Sequence, residues 1–137
     1  MSTKGLLVSS EMYEKGLSIR KKVVGEEYVN RSLSQADEFT ADFQTLVTEY
    51  CWGSVWGRET LDHKTRSMLN IAMIAALNRP HELRLHVQGA LRNGVTPDEI
   101  REVLLQVTIY AGVPAGVDSF RIAREAIDTF EPDAAGR

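Results

Sequence analysis

One cysteine in 137 residues, Cys51, leaves no internal disulfide framework and no C-x-x-C motif for redox or zinc chemistry. No apolar run approaches the ~18 residues that a membrane-spanning helix needs, and the first fifteen residues, MSTKGLLVSSEMYEK, hold too short an apolar stretch for a signal peptide. No sign of charge dominates. Sixteen basic against nineteen acidic residues leave a net charge of -3, which gives no electrostatic reason to expect nucleic acid. Also missing are repeats, low-complexity tracts, interdomain linkers and the alternating Val/Ile/Thr runs of a sheet. What is present is a 43% hydrophobic share with 26% charge, enough to bury a core rather than stay disordered. A chain of this length makes one domain, residues 1–137 with a core of about 11–130, and its default setting is cytoplasmic.

The few prolines act as punctuation. Three of the four stand where helices begin. Thr96-Pro97-Asp98-Glu99 reads as a capping box with proline in the first helical position, followed by Ile100, Val103, Leu104 and Val107 at helical spacing. That helix runs to about Ala111 and Gly112. Pro114 opens the next, with Val117, Phe120, Ile122 and Ala123 as its apolar side, until Pro132 stops it; the tail beyond is expected to fray. Pro80 opens another that ends at Asn93-Gly94. Asp62 can cap a helix through Asn78 whose centre, MLNIAMIAAL, is apolar nearly all round and so belongs in the middle of something. Upstream, a helix from Ser10 to Val24 and one from Gln35 to about Val55, capped by Ser34, complete an all-α bundle of about six helices. Alanines and glycines on the central helices, with more apolar faces than six short helices need, suggest burial between copies of the chain.

Charge is unevenly placed. Residues 58–92 hold Arg58, Lys64, Arg66, Arg79, Arg84 and Arg92 against Glu59, Asp62 and Glu82, together with all three histidines. A positive region in an acidic chain suits a small anionic ligand, although ordinary surface ion pairs give the same pattern. Its densest part is Arg79-Pro80-His81-Glu82-Leu83-Arg84-Leu85-His86. Glu82 and His86 lie four apart and share a helix face, with Arg79 at the mouth of the same helix. A histidine beside a carboxylate can be tuned for proton transfer, and many such pairs are merely structural. His81 and His86, five apart, point too far from each other to grip one metal ion. A second cluster holds Tyr50, Cys51, Trp52 and Trp56, the tryptophans offering a wall for a flat ligand or simply core aromatics. Arg58 follows and can pair a carboxylate bidentately. Tyr110 ends a helix beside a turn.

The stretches GEEYVNRS and YCWGSVWGRETLDHKTRSMLNIAMIAALNRPHELRLHVQGALRNGVTPDEIREVLLQVTIYAGVPA closely resemble the carboxymuconolactone decarboxylase family, over about residues 11–130. The resemblance implies the all-α fold shared with alkyl hydroperoxidase D and a ring-like homo-oligomer, usually a hexamer built as a trimer of dimers. It also implies cytoplasmic aromatic catabolism through the β-ketoadipate pathway. The peroxidase relatives carry C-x-x-C-x-x-x-H. With their histidine placed on His86, their cysteines fall on Arg79 and Glu82 and their glutamate near Ser67, so thiol peroxidase chemistry is not expected. The implied reaction converts 4-carboxymuconolactone, a small anionic lactone, to 3-oxoadipate enol-lactone. No cofactor and no metal is implied, because the substrate holds its own electron sink. Carried onto this chain, Arg79 or Arg58 binds carboxylate, His86 stabilises the oxyanion or supplies a proton with Glu82, and Trp52, Trp56 and Tyr110 line the substrate. The alternatives are a redox protein of the same fold, or a relative acting on another lactone or a β-keto acid.

Overall fold

The structure, a computed structural model, describes residues 10–132. Among them are seven α-helices, one π-helical run and no strand. The chain divides between Leu61 and Asp62 into two compact units.

The first unit holds α1 (Ser10–Val24), α2 (Glu26–Ser34), α3 (Ala41–Leu46) and the π-helical run Val47–Val55. Gly25, at a positive φ of 101°, separates α1 from α2 where a side-chain-bearing residue would be strained. The expected helix from Gln35 to Val55 is broken. Ser34 ends α2 rather than capping a new helix, and Asp37 and Thr40 close a turn through their side chains. After Leu46 the hydrogen bonds lengthen to the i→i+5 pattern, as in Trp56 N–H to the Cys51 carbonyl at 3.0 Å. Helix α1 lies directly on this run. A Cβ on Gly16 would strike the Thr48 carbonyl, and one on Gly53 would meet Met12, so two glycines set the close approach of the backbones. Val23, Val24, Val29, Trp52 and Trp56 are buried there, whereas Phe39 and Phe43 stand exposed.

Four helices make the second unit: α4 (His63–Leu77), α5 (Pro80–Arg92), α6 (Pro97–Ala111) and α7 (Val113–Asp128). Its boundaries follow the sequence closely. The Asp62 carboxylate accepts from Thr65 N–H at 2.8 Å, Asn78 ends α4 in the left-handed conformation, and the Thr96–Glu99 capping box is complete. Gly94 (φ 90°) turns the chain after α5 and Gly112 (φ 111°) after α6. Helix α4 packs on α5 and α6, and α7 packs on the same two. Ile71, Leu83, Val87, Ile100 and Leu104 fill the centre, each essentially inaccessible.

Two apolar faces depart from expectation. On α7 the buried side is Gly116, Ser119, Ala123 and Ala126, while Val117 is 62% exposed. Small residues win there because the helix sits close to its neighbours: a Cβ on Gly116 would run into Thr108. On α4, Leu69, Met73 and Leu77 form an exposed row opposite the buried Ser67, Ile71 and Ala75. No helix among the described residues is long and apolar enough to cross a membrane.

Candidate functional site

Helix α5 builds the chemical centre of the second unit. Arg79 occupies its N-cap position, exposed and making no side-chain cap, and Pro80 follows in the first turn. The first-turn amides of His81 and Glu82 therefore keep the anion-favouring character of an uncapped helix start, beside a guanidinium. Leu83, Val87 and Ala90 anchor the inner face in the core. That anchoring holds His86 half-buried on the flank while Glu82, one turn earlier, stays exposed. Burial pushes the His86 imidazole down from 6.5 to about 4, and the Glu82 charge pulls it back only in part. At neutral pH the ring is an uncharged imidazole, because the Glu82 charge is not enough to hold a second proton on it.

One partner of that ring was not legible from the motif. Asn70, on α4, places its side-chain Nδ2 3.4 Å from His86 Nδ1. The available signal was a single amide inside the apolar run MLNIAMIAAL. A turn earlier on the same helix, buried Ser67 accepts a hydrogen bond from Asn93 Nδ2 at 2.9 Å. His81 is exposed, and among the described residues no group of three or more His, Cys, Asp or Glu side chains converges as a metal site.

Tyr110 lies elsewhere in the second unit. It is 82% exposed and lines an open groove of about 410 Å³ with Ala72, Met73, Ala76 and Gln106. At ~100° per residue, the groove-lining Ala72 sits about 160° round α4 from the His86-facing Asn70, and Met73 is one turn on from Asn70 at about 60°. The structure thus brings Arg79, Glu82 and His86 onto one helix and places Tyr110 in the apolar groove beside α4.

The first unit carries the tryptophans. Trp52 and Trp56 are 5% and 4% exposed, with ring centroids 4.8 Å apart and planes tilted by 36°. They pair along the π-helical run, a rare geometry that occurs often at functional sites. Arg58 is exposed in the turn that follows. Cys51 is half-buried, and burial pushes its thiol up despite the opposing charge of Arg20. A raised thiol is a poor nucleophile at neutral pH. Sequence reasoning passed over Arg20 itself, which is 7% exposed and donates from Nη1 to Gln44 Oε1 at 3.0 Å and Thr48 Oγ1 at 3.1 Å. Both acceptors are neutral, and desolvation lowers the guanidinium pKa.

Comparison with known proteins points to one family. The model of the carboxymuconolactone decarboxylase family matches residues 41–125. The chain is 43% identical over 115 residues to the 4-carboxymuconolactone decarboxylase of Acinetobacter baylyi, spanning 84% of this chain and 86% of that one. It is 40% identical over 117 residues to the nitrosuccinic acid decarboxylase of Metarhizium robertsii, spanning 85% and 82% respectively. A further relative, an uncharacterized 15.0 kDa protein of Paracoccus denitrificans, is 39% identical over 81 residues, 57% of this chain and 60% of that one.

Proposed function

This chain belongs to the carboxymuconolactone decarboxylase family, and from that premise we propose that it is a carboxy-lyase converting 4-carboxymuconolactone to 3-oxoadipate enol-lactone. The reading is carried by the likeness to a named decarboxylase over most of both chains, and the α5 site supplies a physical reason for it. The substrate is an unsaturated five-membered lactone with one ring carboxylate and an acetate arm. Breaking the bond to the ring carboxylate releases CO2. The electron pair left behind moves through the ring double bond onto the lactone carbonyl oxygen, and a proton then adds to the ring carbon beside that carbonyl. Because the electrons come to rest inside the substrate, the chemistry asks of the protein only charge, shape and a proton.

In this proposal Arg79, exposed at the mouth of α5, holds a carboxylate of the substrate. His86, held neutral, donates a hydrogen bond to the developing oxyanion rather than acting as an imidazolium acid. Donors of this kind are worth ~100- to 1000-fold in turnover, because they are aimed at charge that develops only in the transition state. Glu82, exposed one turn earlier, passes a proton from water to the anion. Tyr110 and the exposed α4 row, Leu69, Met73 and Leu77, suit contact with further copies of the chain, in keeping with a cytoplasmic homo-oligomer such as a hexamer.

A second substrate is favoured by the second relative. Nitrosuccinic acid, like the lactone, has two acid groups and an electron sink beside the scissile bond, since loss of CO2 leaves a nitronate. The raised Cys51 thiol speaks against a peroxidase. The test is His86→Ala, assayed on both acids with helicity checked by circular dichroism. A fall of roughly 100-fold or more in lactone turnover is expected; near-normal turnover in folded protein removes His86 from the mechanism.

A further inference from the structure

Asn70 is the only amide in an otherwise apolar stretch of α4, from Met68 to Leu77. Asparagine is a poorer helix former than the leucines and alanines around it, and a half-buried amide needs a partner. Its partner is the ring of His86, with Nδ2 and Nδ1 3.4 Å apart. An amide nitrogen can only donate, so the ring nitrogen facing it must offer a lone pair. A neutral imidazole has one proton, and with Nδ1 accepting, that proton sits on Nε2.

We infer that Asn70 is a positioning residue that commits His86 to its Nε2–H tautomer, so that the ring meets the decarboxylating substrate as a hydrogen-bond donor. The substrate half of this statement rests on the decarboxylase reading; the tautomer does not. The lowered His86 pKa agrees, since burial outweighs the Glu82 charge and leaves the ring without a second proton. The arrangement also divides the labour of the site. A neutral Nε2–H stabilises an oxyanion without transferring its proton, so the proton added to the ring carbon comes by another route. An amide is the right side chain for this purpose. A carboxylate at position 70 would accept from Nδ1, pull the proton to that nitrogen and turn Nε2 into an acceptor, the mirror image of replacing the aspartate of a catalytic triad by asparagine.

The test is nitrogen-15 NMR of the histidine side chains in the full-length protein near neutral pH, without substrate, together with kinetics. The wild-type His86 signals are expected to show a protonated Nε2 and an unprotonated Nδ1. In Asn70→Asp the proton moves to Nδ1 or the ring becomes doubly protonated, and kcat falls about 100-fold with KM little changed. In Asn70→Ala the two tautomers mix and kcat falls by less. Asn70→Ala adds no charge and carries the comparison if Asn70→Asp does not fold. A wild-type ring protonated on Nδ1, or variant spectra in which the His86 signals stay where the wild type has them, overturns the inference. A wild-type protein that leaves the lactone untouched refutes the decarboxylase reading instead, and the tautomer is still decided by its spectrum.

Discussion

Lowering the pH perturbs His86 in a way that stability measurements can isolate. In the unfolded chain the imidazole takes up a proton near 6.5, but in the folded protein burial delays this to about 4. Between those values the unfolded state binds the extra proton and the folded state does not, so stability is intact above 6.5 and is lost as the pH falls through the interval. At about 1.4 kcal/mol per pH unit, the full gap is worth about 3.5 kcal/mol, of which about 2.5 kcal/mol is already lost at about pH 4.5. Asp62 and Glu99, whose carboxyls are held below their ordinary range by the backbone N–H groups of Thr65 and Thr96, also weaken the fold as they protonate. Comparison with His86→Gln cancels them. The assay is urea unfolding of both proteins, followed by far-ultraviolet circular dichroism, at steps from pH 7.5 down to 4.5. The wild type is expected to lose about 2.5 kcal/mol relative to the variant across that range. A difference that stays constant with pH refutes the reasoning, because it means that the ring protonates alike in both states.

The other expectations concern separate parts of the chain. Arg20→Met strands the fully buried Thr48 hydroxyl without its donor, at a cost of about 1–3 kcal/mol, part of which Thr48→Val should restore in the same background; a single variant as stable as the wild type in urea contradicts this. Met73 is 55% exposed in the single chain, so Met73→Glu leaves the protomer folded while lowering the native mass measured by light scattering, and an unchanged mass means the α4 row is not where copies meet.

The second unit was largely legible because its helices are marked by local chemistry that tertiary packing does not override. Asp62, the Thr96–Glu99 box, Pro80, Gly94 and Gly112 each satisfy or remove specific backbone groups, and each stands at the end it was expected to mark. The first unit resisted for the converse reason. Phe39, Phe43, Leu46 and Val47 repeat at α-helical spacing, yet Phe39 is 92% exposed and the chain turns at Asp37–Thr40 before α3 begins. The shift to π geometry after Leu46 leaves no mark in the hydrophobic period, and α2 occupies a stretch where no helix was expected. At the site, the α5 motif identified Arg79, Glu82 and His86 as neighbours on one helix. It could not disclose that the ring nitrogen is faced by an amide sixteen residues upstream, because that contact exists only once α4 and α5 are packed. Burial, which decides the charge of His86, is likewise a property of the packed bundle rather than of the spacing between two residues.

The most direct test adds freshly generated 4-carboxymuconolactone to chelator-treated full-length protein and measures CO2 release together with the product formed. The expected result is one CO2 for each 3-oxoadipate enol-lactone, at a rate unchanged by chelation and cut by His86→Ala. Lactone recovered intact, or turnover that stops with chelation and returns with added metal, contradicts a decarboxylase that works through a neutral imidazole and the substrate's own electron sink.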